Sequence, residues 1–142
     1  MKQNRRRTYV YAYDTAGNII SKRTYSLTAE NVTPTNLIGT NSYGYSTGAW
    51  GDQLTSFNGN AISYDGIGNP LTYHNGASFT WLGRQLVGAE YDGKTMSFPY
   101  NDEGIRTSKT VNGVTTTYYL SGSVIGMQYR EAGSASTAWD IY

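Results

Sequence analysis

The chain has 142 residues, a formal net charge of +1 and no cysteine, enough material for one domain or for a stretch of a repeating array. Near-neutrality argues against nucleic acid or an anionic membrane as a partner, since both are met by a basic stripe and the one basic cluster is Arg5, Arg6 and Arg7. The absence of cysteine excludes disulfides and thiolate metal sites, and no stretch reaches the ~18 apolar residues that insert in a membrane as a helix.

Leu, Ile, Val and Phe together make only 24 of 142 residues, which is thin for a core, whereas 14 Tyr and 3 Trp supply large amphipathic rings. The composition therefore predicts that any core is aromatic. In chain order, residues 1–7 read as a flexible basic N-terminus and 8–142 as a single array of β-hairpins. Thr8 to Tyr13 alternates so that Tyr9, Tyr11 and Tyr13 share one face, the period of a half-buried strand. Residues 27–43, with Pro34 and little alternation, read as an irregular excursion. From there Asn58-Gly59, Asn75-Gly76, Asp92-Gly93 and Asn112-Gly113 recur at spacings of 17, 17 and 20 residues. Each such pair suits the two φ > 0 positions of a type I′ hairpin turn. A second series at Gly68, Gly83, Gly104 and Gly122 falls between them and predicts longer turns with glycine left-handed.

The segments between turns are short and rich in aromatic and β-branched residues: Ile62 to Tyr64, Phe79 to Trp81, Met96 to Tyr100 and Tyr118 to Leu120. Residues 131–137 read as a loose turn, and the end of the chain as one more strand. No window holds an i, i+3, i+4, i+7 apolar stripe, so the fold class expected is all-β, a coiling meander of antiparallel hairpins with little or no helix.

Four stretches carry a resemblance: "YAYDTAGNI" at 11–19, "ISYDGIGNPLTY" at 62–73, "FTWLGRQLVGAEYDG" at 79–93 and "FPYNDEGIRTSKTVNGVTTTYYLSGSVI" at 98–125. They resemble successive YD repeats of the RHS family. The residues concerned are Tyr13, Asp14, Gly17, Asn18, Tyr64, Asp65, Gly68, Asn69, Trp81, Gly83, Arg84, Tyr91, Asp92, Gly93, Tyr100, Asn101 and Gly104. The resemblance implies hairpins spiralling into a hollow β-shell that encloses a C-terminal toxin or effector, on a secreted or cell-surface bacterial protein. It also implies a closing segment with an Asp-Pro-x-Gly signature, and no Asp-Pro occurs here. The expectation is a segment of wall.

Chemistry offers little to set against that. His74 is the only histidine, and neither Gly-x-Ser-x-Gly nor a Gly-x-x-x-x-Gly-Lys loop occurs, so no catalytic residue is predicted and the chain is expected not to be an enzyme. Asp14, Asp65 and Asp92 each follow a tyrosine, with Asn101 in the same place after Tyr100. A carboxylate among glycines suits a calcium ion, but an amide in one copy keeps the turn and loses the charge; the residues read as caps of Asx turns, with no metal or cofactor. Arg84 and Arg106 read as surface partners of nearby carboxylates. Trp50, Trp81 and Tyr45 are candidates for stacking on a carbohydrate, the alternative to packing in the core. The sequence thus predicts a non-catalytic structural module whose open strand edges pair with further copies, and as the alternative a surface adhesin with a glycan partner.

Overall fold

The computed structural model describes residues 7–48, 51–132 and 136–141, with residues 132 and 136–141 given by their backbone. Trp50 and residues 1–6 of the expected basic terminus lie outside the described residues. Arg7 does not belong to such a terminus, because it opens a strand opposite Ser26.

Among the described residues there are strands and turns and no helix. The chain divides into two compact units, 1–63 and 64–142. In the first, β1 (Arg7–Tyr13), β2 (Ile19–Ser26), β3 (Leu37–Tyr45), β4 (Leu54–Phe57) and β5 (Asn60–Ala61) form one sheet in sequence order. The second sheet comprises β6 (Ser63–Tyr64), β7 (Pro70–Thr72), β8 (Ser78–Leu82), β9 (Gln85–Tyr91) and β10 (Lys94–Ser97), followed by β11 (Ser108–Val111), β12 (Val114–Ser121), β13 (Val124–Ala132) and β14 (Ser136–Ile141). Its nine strands also lie in sequence order, and the division between the units falls inside β6. The fold is the expected all-β antiparallel meander.

Besides Arg7, the segment expected as Met96 to Tyr100 is the strand Lys94–Ser97, with Tyr100 only bridging Arg106, and two expected loops differ as well. The excursion is shorter than 27–43, because Leu37 onward belongs to β3, held on one side by β2 and on the other by β4. Its sequence shows no clear alternation because residues 37–40 are exposed whichever face they take. Of the expected loose turn at 131–137, the described residues 131, 132, 136 and 137 belong to the ladder, with Glu131 opposite Thr137 and Ala132 opposite Ser136, and residues 133–135 lie outside the described residues.

Loop length, set by the pairing, sorts the turns into three kinds. Asn58-Gly59, Asp92-Gly93 and Asn112-Gly113 have φ of 51°/81°, 51°/68° and 49°/81° and close two-residue loops, the type I′ geometry whose twist matches a hairpin. Asn75-Gly76 departs from the expected I′ form: only Gly76 is left-handed, and the Tyr73 N–H donates to the Ala77 carbonyl around a three-residue loop. Gly83 and Gly122 do not open longer turns. They lead two-residue loops, Leu82 opposite Gln85 and Ser121 opposite Val124, with positive φ at the first loop residue alone, as in type II′. The third kind is a five-residue reversal at 14–18, 65–69 and 101–105, with the first N–H donating to the fifth carbonyl and the fourth N–H returning to the first carbonyl. Residues 73–77 share those two bonds.

Among the described residues the expected aromatic core is absent from each sheet taken by itself. Ile62, Ala77 and Ala89 are the buried apolar residues, and no large side chain among the described residues is fully enclosed. A single layer has nothing above it to close over a ring. Tyr9, Tyr11, Tyr13, Tyr73, Tyr91 and Tyr119 are accordingly exposed, Tyr13 most of all at 57%. The rings cluster sideways instead. Tyr43 meets Phe57 edge-on at 5.2 Å between centroids, and the Lys22 ammonium lies 4.5 Å over Tyr9 and 5.9 Å from Tyr11 on the same face.

Candidate functional site

The residues that recur are those of the five-residue reversal, and the structure gives each a task. In the first copy Asp14 Oδ1 accepts the N–H groups of Ala16 and Asn18, both at 2.9 Å, while Asp14 Oδ2 accepts the Asn18 side-chain amide at 2.9 Å. The second copy repeats this atom for atom: Asp65 Oδ1 takes Ile67 N–H at 3.0 Å and Asn69 N–H at 2.9 Å, and Asp65 Oδ2 takes the Asn69 amide at 2.8 Å. The aspartates are Asx-turn caps, each satisfying donors that the tight reversal turns inward. Gly17 and Gly68 hold φ of 91° and 87°, which a side chain would strain.

Hydrogen bonding governs the ionisation of both caps. The Asn18 side-chain amide, then its backbone N–H, holds the Asp14 carboxyl below its ordinary value. For Asp65 desolvation pushes upward, but the N–H and amide of Asn69 and the N–H of Ile67 outweigh it, and the result is again lowered.

The fifth residue does more than close its own turn. Asn18 Nδ2 also donates to the Gly51 carbonyl at 3.1 Å, and Asn69 Nδ2 to the Gly83 carbonyl at 2.7 Å. Each amide therefore ties one hairpin turn to the turn of the next hairpin along the same rim of its sheet. The residue after it receives a second tie. Tyr45 Oη donates to the Ile19 carbonyl at 3.0 Å, and Trp81 Nε1 to the Pro70 carbonyl at 2.7 Å. Burial, followed by the nearby Asp14 charge, raises the Tyr45 hydroxyl above its ordinary value and keeps it a donor. Pro70 opens β7, where the first residue can spare its ladder N–H. The same constellation, Asp-x-x-Gly-Asn with an amide tie and a ring-donor tie, thus occurs once in each unit.

The third copy keeps the reversal and loses the ties. Asn101 Oδ1 accepts Ile105 N–H at 2.8 Å and Gly104 has φ 77°, but Ile105 stands where Asn18 and Asn69 stand and brings no amide. The neighbouring Arg106 lies 4.4 Å over Phe98 and 5.5 Å from Tyr100, and donates to Tyr100 Oη at 3.0 Å. Its partners are rings, where a carboxylate was expected. Tyr100 Oη in turn donates to the Leu86 carbonyl at 3.0 Å.

Asp92 leaves the set of caps. It occupies the first position of an I′ turn, where the left-handed φ of 51° is what Asp tolerates. Gly93 completes that turn, Arg84 is the exposed second residue of the Gly83 turn, and Tyr91 ends β9 exposed. Tyr64, half-buried beside Asp65, has its hydroxyl pushed up chiefly by burial. Of the carbohydrate candidates, Trp81 and Tyr45 are only part-exposed and commit their polar ends to backbone carbonyls. Among the described residues no three His, Cys, Asp or Glu side chains gather as metal ligands.

Two I′ asparagines also act beyond their own turns. Asn58 N–H donates to the Ser42 carbonyl and its Oδ1 accepts Ser42 N–H; Asn112 makes the same pair of bonds with Thr95. Each extends the ladder by one side-chain rung onto the preceding strand. Sequence reasoning recognised these residues as turn formers and missed their reach, as it missed that of Asn18 and Asn69. The signal available was Asn four residues after Asp.

Fold and ties together define a hairpin-repeat sheet held rim to rim by turn side chains. No protein-family model matches the chain. It is 33% identical over 82 residues to the tRNA nuclease WapA of Bacillus subtilis (strain 168), and to the same extent to the tRNA(Glu)-specific nuclease WapA of Bacillus subtilis subsp. natto (strain BEST195). The match covers 55% of this chain and spans 4% of the length of either relative.

Proposed function

We propose that the chain is a non-catalytic piece of wall, a segment of an RHS/YD-repeat shell that in a longer protein encloses or presents a C-terminal toxin or effector. The observation that carries this is the repeated constellation at 14–19 and 65–70, in which one turn motif caps itself and ties the next hairpin. A device that joins hairpin to hairpin builds extended sheet by repetition and needs no reacting group. Likeness to a small fraction of two much longer nucleases is in keeping with a part that accompanies such an activity, and a secreted or cell-surface location belongs to this same proposal.

For the isolated chain the reading includes self-association. Among the described residues strand β1 ends its sheet, with Tyr9, Val10, Tyr11 and Tyr13 exposed, and an edge of that composition templates another strand. Light scattering across a broad concentration range is expected to show a mass that climbs above 15.6 kDa. Val10→Lys, a charge on the edge, is expected to return the monomer. A monomeric mass throughout sinks the self-association part of the reading.

A further inference from the structure

The register of the second sheet brings together three cations that are far apart in sequence. Lys109 lies opposite Thr116, and Thr116 opposite Arg130, so the two charges occupy one rung, two strands apart. Two residues along the same face Val111 lies opposite Val114 and also opposite Met96. Lys94, two residues before Met96, therefore shares that face beyond the valines. Apart from Met96, these residues with Asn112 and Gln128 line an open groove of about 600 Å³. Lys94, Lys109 and Arg130 are exposed, Val111 and Val114 are half-buried, and Thr116 is buried at the floor. No carboxylate is among the lining residues; Asp140, opposite Gln128 by register, is the one acid that pairing puts on this face. Three cations against one acid on a chain of net charge +1 is a local concentration of positive charge.

Spacing selects the ligand. Lys109 and Arg130 stand about 10 Å apart, two interstrand steps, while Lys94 is displaced from Lys109 by four residues, about 13 Å along the strands, and by one strand across. One small anion cannot meet all three. An extended peptide repeats its side chains on one face at about 6.7 Å, so carboxylates at i and i+4 lie about 13 Å apart with i+2 between them. That matches Lys94, Val111 and Lys109 in order: cation, apolar floor, cation. The groove carries no aromatic ring on which a base could stack, which disfavours single-stranded nucleic acid.

We propose that this face, between β10 and β13, binds an extended acidic segment of a partner polypeptide in an acid-x-apolar-x-acid pattern. The site is independent of whether the sheet belongs to a shell. The test uses the full chain and a fluorescently labelled Glu-Ser-Val-Ser-Glu peptide, with binding read by anisotropy at rising salt. Binding is expected to weaken with salt, and Lys109→Gln with Arg130→Gln to weaken it by about tenfold or more. Gln in place of both peptide Glu residues is expected to do the same, while Lys22→Gln in the first sheet leaves binding unchanged. Circular dichroism checks the fold of the double variant, and Lys94→Glu, a single exposed change, serves if the double variant does not fold. The proposal is overturned if the groove variants bind the peptide like the parent, if a single-stranded oligonucleotide binds more tightly than the peptide and loses its binding in the same variants, or if inorganic phosphate displaces the peptide at matched charge concentration.

Discussion

Replacing Asn69 by Ala isolates the tie between hairpins from the turn itself. The backbone N–H of residue 69 continues to serve Asp65 Oδ1, so the reversal keeps its cap. What is lost is the side-chain amide of a residue only 4% exposed, which gives one hydrogen to Asp65 Oδ2 and one to the Gly83 carbonyl. Asp65 is half-exposed, so its oxygen is rehydrated. The Gly83 carbonyl, part-buried under the amide, loses a short bond and part of its solvation, so the removal costs about 1.5 kcal/mol. With a urea slope of about 1–1.5 kcal/mol per M, the unfolding midpoint followed by circular dichroism falls by about 1 M. Asn18→Ala removes the longer, exposed tie to Gly51 and is expected to cost less. Asn60→Ala, in an exposed strand position, provides the baseline. An Asn69→Ala variant no worse than Asn60→Ala, or an Asn18→Ala variant costlier than Asn69→Ala, would refute the amide tie.

Other perturbations test the neighbouring links. Because Asp14 and Asp65 have lowered folded-state values, the stability they confer is present above the unfolded value of about 3.9 and lost as pH falls through the lower folded value. Asp65→Asn, which copies Asn101, is expected to flatten that acid limb in urea midpoints measured against pH while keeping the fold at neutral pH; an unchanged limb counts against the cap. Asn112→Gly keeps the left-handed turn and loses only the side-chain rung to Thr95, whereas Asn112→Ala adds about 1 kcal/mol of backbone strain, so thermal unfolding should rank Ala below Gly. Trp81→Phe deletes the donor to Pro70 and part of the ring, for a loss of about 1–2 kcal/mol by calorimetry; no loss would remove the ring tie from the account.

The meander and its reversal points were legible in the sequence because Gly, Asn and Asp announce φ > 0 wherever they recur. Turn type was less so. Asn75-Gly76 looks identical to Asn58-Gly59 as a dipeptide, and only the pairing of Thr72 with Ser78 reveals the longer loop. The start of β3 was hidden because Leu37 and Ile38 are exposed beside Gly39 and Thr40, leaving no inward and outward rows to read. The aromatic core was inferred from ring count alone, and a lone sheet layer gives those rings no enclosing partner. The groove was invisible for another reason: Lys94, Lys109 and Arg130 become neighbours only through the register of four strands.

The amide ties bear on how such a sheet counts its own residues. Alternation along a strand penalises a slip of one residue, which exchanges the two faces, but is indifferent to a slip of two. Here both faces are half-exposed, so even the first penalty is weak. A slip of two residues carries Asn69 about 6.7 Å from the Gly83 carbonyl, out of hydrogen-bond range, and the same holds for Asn18 and Gly51. The two asparagines act as stops that admit one alignment of the hairpins they tie, one pair in each sheet, a task that side-chain burial performs in proteins with a closed core.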